Sequence, residues 1–308
     1  FDASAPINQI PFSPKISYHS KFDISEKYSL FSDIDYRILN RNSSNINNPS
    51  ENYILNLNNF LIFNNVLNNT VFYNKLSTIN SINSYTFEHD SSLNREEYNS
   101  SIILSSDINF NYNKMVTPRI KIIHFQEIAR SDNIINEDSN SISFNYNNQF
   151  SDKRLFGNDL MDNTSRIVYG IENNIKIFNQ NIILNINQSY DINKSNNFSE
   201  KINQNSNFSD YSLELKSAFK KLDFHIDMRI DEDTLTRKEL NYSIMIKENP
   251  IDLTLSYYET NISAYKNSSS NTKLLKLELS KELNNNIRLA YGSNLNLKND
   301  YSPLDESL

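Results

Sequence analysis

Three side chains in the second half of the chain could take part in proton transfer or metal binding. His225 lies two residues from Asp223 and two residues from Asp227. Side chains two residues apart in an extended strand point the same way, so two carboxylates would flank one imidazole. Such a group could relay protons or bind a metal ion. We favour a simpler interpretation, in which the three side chains line a polar channel.

Residues 231–233 (Asp-Glu-Asp) form a second candidate, for a divalent cation. The run lacks the glycine of an EF-hand loop, so we interpret it as a solvated acidic turn. The other histidines are scattered without metal-ligand spacing, and the chain has no cysteine. No nucleophile elbow or pair of catalytic carboxylates stands out. We therefore predict no metal site, no cofactor and no enzymatic activity.

The segment that carries His225 alternates strictly between apolar and polar side chains. The apolar members are Leu222, Phe224, Ile226, Met228 and Ile230. The polar members are Asp223, His225, Asp227, Arg229 and Asp231. A strand of this kind has one apolar wall and one ionic wall. We predict that the apolar set faces lipid and that Asp223, His225, Asp227 and Arg229 face a water-filled lumen.

Similar segments recur along most of the chain and predict an all-β fold, an antiparallel transmembrane β-barrel. We expect roughly 14–16 strands of about 9–11 residues, the length that crosses a bilayer at barrel tilt. One of these strands contains Ile142, Phe144 and Tyr146. The connections alternate between short turns, as at 247–250, and long polar stretches, as at 259–272. Outer-membrane barrels separate short turns and long loops in this way.

The composition agrees with a barrel and excludes some other classes. Apolar residues make up 38% of 308, less than the roughly 45–50% of typical globular domains, but a barrel with a wet lumen needs only an outer apolar band. The net charge of −7 and the lack of a basic patch argue against nucleic-acid binding. There is no apolar run of helical membrane-spanning length and no opening signal peptide, so we expect a fragment that starts inside a barrel.

The segment 136–170 reads NEDSNSISFNYNNQFSDKRLFGNDLMDNTSRIVYG. It resembles the C-terminal barrel of the lipopolysaccharide-assembly outer-membrane protein family (LptD, or OstA). The positions that carry the resemblance are Asn136, Glu137, Asp138, Ser139, Phe150, Ser151, Arg154, Gly157, Asp159, Arg166, Tyr169 and Gly170. Thr117-Pro118-Arg119 and the stretch 222–239 resemble further parts of the same family, so the resemblance covers most of the chain.

The resemblance implies an outer-membrane translocon of a Gram-negative bacterium that inserts lipopolysaccharide into the outer leaflet. It implies as partners lipopolysaccharide, membrane lipids, a plug lipoprotein (LptE-like) and a periplasmic lipopolysaccharide-transport bridge. Residues 1–308 would be a single barrel fragment. The family's N-terminal periplasmic jelly roll, some barrel strands and the lateral gate would lie outside it.

Two alternatives remain at this point. One is another outer-membrane β-barrel, such as a porin or an uptake channel. The other is an Asn-rich surface or fibrous protein, because alternation of polar and aromatic residues also suits cross-β stacking. Charged strand faces and separated loop lengths argue against a fibrous protein.

Overall fold

The computed structural model describes fourteen stretches of the chain, which together contain all the elements given below. They are residues 14–40, 49–87, 90–110, 116–131, 140–141, 145–156, 164–177, 180–193, 207–219, 221–248, 251–260, 272–284, 287–297 and 303–307. Within these stretches, no helical segment has the length and hydropathy that a membrane-crossing helix requires.

Strands dominate the described residues. They are β1 (Lys15–Ser25), β2 (Tyr28–Asn40), β3 (Glu51–Leu67), β4 (Thr70–Thr86), β5 (Arg95–Phe110), β6 (Val116–Arg130), β7 (Asn140–Ser141), β8 (Leu155–Phe156), β9 (Arg166–Ile177), β10 (Gln180–Asp191), β11 (Tyr211–Ala218), β12 (Leu222–Ile230), β13 (Arg237–Glu248), β14 (Ile251–Thr260), β15 (Thr272–Asn284), β16 (Ile287–Asn296) and β17 (Pro303–Ser307). A one-turn helix, α1 (Tyr146–Gln149), and a 3₁₀ turn at Ser91–Leu93 complete the described elements.

One antiparallel sheet holds fifteen of the described strands, each next to its neighbour in the sequence, except that β6 pairs with β9. The chain between β6 and β9 leaves this sheet and includes α1 and the separate β7–β8 pair. The all-β, antiparallel prediction and its strand number are therefore confirmed. Among the described strands the sheet does not close on itself, which is consistent with a partial barrel.

The connections differ in length between the two ends of the sheet. At one end they are short, at 26–27, 68–69, 178–179, 219–221, 249–250 and 285–286, and at the other they include 131–165, 192–210 and 261–271. This alternation agrees with the pattern expected from the sequence. In the turn 68–69, Asn68 has a φ of 54°, a left-handed conformation that asparagine tolerates better than most residues do.

Two sequence expectations are corrected. The strands β3 to β6 are longer than the expected 9–11 residues, since β3 and β4 contain 17 residues each. At about 3.4 Å per residue, these strands are longer than the hydrocarbon core of a bilayer is thick. The strand expected around Ile142, Phe144 and Tyr146 does not include Tyr146, because Tyr146 begins helix α1. Ile142 and Phe144 lie outside the described residues.

The pairing register divides the side chains of the sheet into two faces, because residues paired across antiparallel strands point the same way. One series runs through Lys75–Ser105, Ser105–Ile123, Ile123–Arg166 and Arg166–Asp191, and continues on β10 to Asn185–Glu214 and Glu214–Asp227. We call this the covered face, because residues 145–156 lie against it. The opposite side is the uncovered face.

The two faces differ in composition and exposure. Large apolar side chains project from the uncovered face, where Ile16 is 70% exposed and Leu104 is 48% exposed. The covered face carries most of the buried polar side chains, together with an apolar cluster of Ile79, Ile103, Ile123 and Phe125. Burial of polar side chains beside bare apolar ones is the reverse of a water-soluble fold.

Candidate functional site

The candidate site is where residues 145–156, which we call the inserted segment, meet the covered face. The segment begins with a capping box, in which the Asn145 side chain accepts a hydrogen bond from the Asn148 backbone and the Asn148 side chain accepts one from the Asn145 backbone. This reciprocal pair satisfies two backbone donors at the start of α1. The chain then turns at Phe150 and runs back to β8.

Asp152 attaches the segment to two strands of the covered face. Its carboxylate accepts a hydrogen bond from Lys75 Nζ of β4 at 2.8 Å and lies 2.7 Å from Lys121 Nζ of β6. Lys121 also donates to the Phe150 carbonyl at 2.6 Å. Burial opposes ionisation of Asp152, but the charges of Lys121 and Lys75 outweigh it and lower the pKa of this carboxyl below its ordinary value.

Two arginines of the sequence motif tie the segment to the sheet from opposite sides. Arg154, in the segment, donates from Nη1 to both carboxylate oxygens of Asp191 at 3.1 Å. Arg166, on β9, donates from Nη2 to the carbonyls of Ser151 at 2.5 Å and Asp152 at 3.3 Å. Both guanidinium groups are fully buried. A buried arginine needs this dense pairing, because an uncompensated charge in such a place is costly.

Gln149 and Phe150 complete the described contacts of the segment. Gln149 Nε2 donates to the Asp210 carbonyl at 3.2 Å and to Ser212 Oγ at 3.0 Å, which reaches β11. The Phe150 ring packs with Val168 in a buried pair, and the Arg119 guanidinium lies 4.1 Å from its centroid. The segment therefore bridges strands from β4 to β11.

The motif residues fall into three groups in the structure. Arg154 and Arg166 anchor the inserted segment, whereas Tyr169 points to the uncovered face, where its hydroxyl donates to Gln188 Oε1. Gly170 lies where β9 and β10 approach closely. A Cβ added there would be 2.6 Å from the Ile186 carbonyl oxygen and 2.8 Å from Asn187 Cβ, so a side chain has no room. Of the other motif positions, Phe150 and Ser151 belong to the inserted segment, and Asn136, Glu137, Asp138, Ser139, Gly157 and Asp159 lie outside the described residues.

The polar set of β12 lies on the covered face by register. His225 Nε2 is 3.1 Å from Asp227 Oδ2 and 3.4 Å from Glu214 Oε1, Asp223 pairs with Lys247, and Arg229 pairs with buried Asp210. The apolar set, Leu222, Phe224, Ile226, Met228 and Ile230, shares the opposite face with paired residues such as Leu213 and Leu215. Whether these faces meet water and lipid remains a prediction.

Two groups of the described residues bring metal-ligand atoms within 4.8 Å of one another. They are Glu214 with His225 and Asp227, and Asp210 with Asp231 and Glu232. Each group already contains an ammonium. Lys216 Nζ lies 2.5 Å from Glu214 Oε1, and Lys238 Nζ lies 2.7 Å from Asp210 Oδ1 and 2.6 Å from Asp231 Oδ2. These lysines supply positive charge where a cation would lie, so both groups are interpreted as ion-pair networks.

The sequence interpretation did not identify the partners of the inserted segment. Lys75, Lys121 and Asp191 come from three parts of the chain, and no local motif links them to Asp152 or Arg154. The signal that the sequence offers is weak. Lys75 and Lys121 lie within strands, and a charged residue at a polar position of an alternating strand does not by itself indicate a partner.

Comparison with known proteins shows the family to which the chain belongs. No curated protein sequence matches the chain with significance. The model of one protein family, described as LPS transport system D (LptD), matches residues 64–294, which is most of the chain and includes the inserted segment and β3 to β16 in whole or part. Members of this family are components of lipopolysaccharide transport and outer-membrane assembly and are not known as enzymes. The chain belongs to the LptD family.

Proposed function

We propose that this chain forms part of the wall of an outer-membrane translocon that inserts lipopolysaccharide into the outer leaflet. The observation that carries the proposal is the two-faced antiparallel sheet in a member of the LptD family. One face offers exposed apolar side chains, and the other offers charged and hydrogen-bonding ones. A transported amphiphile needs both environments.

The uncovered face supports a location in a bilayer. Apolar side chains project from it in strand after strand, including Ile16, Tyr18, Phe22, Leu30, Leu76, Ile82, Leu104, Ile122, Ile186, Ile244, Leu277 and Leu289. Soluble monomers rarely expose so extended an apolar surface. Burial against lipid tails removes this surface from water at roughly 25 cal/mol per Å².

The covered face supports a polar path for the sugar and phosphate groups of lipopolysaccharide. On β12 it carries Asp223, His225, Asp227 and Arg229, and on β13 it carries Asn241. These groups can exchange hydrogen bonds with hydroxyls and phosphates as they do with water. We expect many residues to share this task, so that no single one of them is essential.

The open edges of the sheet support completion by further strands. Among the described strands, β1 and β17 each have one neighbour. An unpaired strand edge in lipid would leave backbone groups unsatisfied, at several kcal/mol for each group. We propose that residues 1–308 are a single barrel fragment completed by other strands. We further propose that a plug lipoprotein and a periplasmic lipopolysaccharide-transport bridge act with it.

The test is affinity purification of the full-length gene product from outer membranes in mild detergent, followed by mass spectrometry. Recovery of lipopolysaccharide together with a small lipoprotein is the expected result. Recovery of a lone or homotrimeric barrel without either would contradict the proposal and favour a porin. Heat-dependent migration on gels, which folded barrels show, serves as the control for folding.

A further inference from the structure

The Asp152 carboxylate lies in a basic site, where two lysine side chains contact one carboxylate. Lys75 Nζ and Lys121 Nζ approach it from two strands at 2.8 and 2.7 Å, one at each oxygen. The Lys121 side chain is only 11% exposed. Lysine ammonium groups also bind phosphate oxygens in proteins, as point charges.

Two further basic groups surround this site. Arg166 donates to the main-chain carbonyls at Ser151 and Asp152, so its contact depends on the segment being in place. Arg119 stacks on Phe150 and pairs with Asp107, its Nε 2.9 Å from Oδ1. Displacement of the segment would therefore leave Lys75, Lys121 and Arg166 without the acceptors that the segment provides.

A cavity of about 280 Å³ lies next to this site. Lys75 and Asp152 line it together with Asn58, Phe60, Ser77, Ser151, Lys153 and a second carboxylate, that of Asp33. The Lys75 ammonium is also 4.7 Å from the centroid of the Phe60 ring. The cavity thus offers two lysines, hydroxyl and amide groups, and an aromatic surface, beside the carboxylates of Asp152 and of Asp33, the latter 2.9 Å from His19 Nδ1. Lysine ammonium groups and hydroxyl and amide donors can bind a phosphate group attached to a sugar.

The contacts of the inserted segment are of a kind that an anionic ligand can replace. Among its described side chains, Phe150 is the buried apolar one, and the others contact the sheet through ion pairs and hydrogen bonds, as Gln149, Asp152 and Arg154 do. Exchange of one carboxylate for another anion leaves Lys75 and Lys121 with a negatively charged partner. It therefore avoids the penalty of leaving buried ammonium groups unpaired.

We propose that Lys75 and Lys121 form a subsite for the phosphate group of a phosphorylated lipid headgroup, and that Asp152 occupies this subsite until the headgroup displaces it. The inference rests on the proposed transport function and assigns its substrate one contact point on the covered face. The segment then works as a competing internal ligand, which keeps the subsite filled when no substrate is present.

Binding measurements on the full-length protein in detergent test the subsite. The probes are inorganic phosphate, lipopolysaccharide and enzymatically dephosphorylated lipopolysaccharide. Asp152→Asn should raise the affinity for inorganic phosphate and for intact lipopolysaccharide at least tenfold, with no gain for the dephosphorylated form. Adding Lys75→Gln should abolish the gain, whereas adding Lys121→Arg should retain it. Asp35→Asn, which removes a carboxylate paired with Lys15 at 3.2 Å on the same face, is the matched control.

A second measurement uses the unaltered protein, so it does not depend on whether a variant folds. Trypsin cleavage after Lys153 or Arg154 should accelerate in phosphate relative to chloride at equal ionic strength, because phosphate competes with Asp152. No acceleration, together with no gain for folded Asp152→Asn, would overturn the subsite. A gain for free phosphate without one for intact lipopolysaccharide would overturn the headgroup assignment. Either failure could occur while lipopolysaccharide still co-purifies, which separates it from failure of the proposed function.

Discussion

Arg154 and Asp191 form a buried ion pair that joins the inserted segment to the last residue of β10. Arg154 Nη1 lies 3.1 Å from both carboxylate oxygens, and the Arg154 side chain is 1% exposed. Asp191 is paired by register with Arg166, the other arginine of the motif. Both arginines of the sequence motif thus lie at the end of β10 that carries Asp191. Arg154 reaches it from the inserted segment, and Arg166 lies beside it in the sheet.

Removal of one partner of this pair should release the segment. Arg154→Met leaves the Asp191 charge buried, and loss of one member of a buried ion pair typically costs about 3–5 kcal/mol. Asp191→Leu should behave similarly, and the double variant should cost less than the sum of the two. Protease cleavage within residues 145–156 measures the opening. Strictly additive effects would show that the pair does not hold the segment.

Substitutions on neighbouring residues of β12 test the two faces. Ile226→Arg places a charge on the uncovered face, at a cost of roughly 2–4 kcal/mol near the bilayer midplane. Asp227→Arg places the same side chain on the covered face, opposite Glu214, and should be tolerated. The folded fraction in outer membranes, from heat-dependent gel migration, is the measurement. Equal assembly of both variants would refute the assignment of the faces.

Gly170 should not accept a side chain. An alanine Cβ would meet the Ile186 carbonyl oxygen at 2.6 Å, and β9 and β10 would have to separate. Overpacking of this kind costs about 1–3 kcal/mol. We expect Gly170→Ala to lower the urea midpoint of unfolding in detergent. Ile171→Ala, on the uncovered face one residue away, is the control, and a comparable loss there would contradict a steric origin.

Acid should open the inserted segment. Burial raises the pKa of Asp152, but Lys121 and Lys75 lower it more strongly. Burial also raises the pKa of Asp210, and Arg229 lowers it more strongly. Both pKa values therefore lie below the ordinary value of about 3.9. Groups with lowered pKa values stabilise the folded state above about pH 4 and lose that contribution as the pH falls through the lowered pKa.

Pepsin, which is active under acidic conditions, can measure this opening at Phe150. Cleavage should increase as the pH falls below 4, after correction with an unstructured substrate for the activity of pepsin itself. Asp152→Asn should already be cleaved at pH 5. If cleavage of the unaltered protein showed no pH dependence beyond that of the free substrate, the carboxylates would not control the segment.

Strand periodicity made most of the sheet predictable. In β12 the alternation from Leu222 to Ile230 predicts which residues share a face, and the register agrees, with Glu214 opposite Asp227 and Leu215 opposite Ile226. A period of two is a local property, so each strand can be recognised from its own residues. Loop lengths could be predicted for the same reason, because the ends of two successive alternating segments give the length of the connection between them.

The inserted segment could not be predicted in this way. Ile142, Phe144 and Tyr146 have a strand-like spacing, yet Tyr146 begins α1, because the Asn145–Asn148 capping box stabilises a helical turn there. The anchors of the segment depend on tertiary pairing. Asp152 meets Lys75 across 77 positions of the chain, a separation over which no local pattern carries information. The motif pointed to Arg154 and Arg166 but not to their partners.

The most direct test of the central claim is a pulse–chase photo-crosslinking experiment in cells. A photoreactive amino acid replaces Asn241 on the covered face or Tyr242 on the uncovered face of the full-length protein, and newly made lipopolysaccharide is labelled briefly. We predict that adducts at Asn241 rise and then disappear during the chase, whereas adducts at Tyr242 appear later and persist. Arrival of labelled lipopolysaccharide at the cell surface with no adduct at Asn241 at any time would contradict transport along this face.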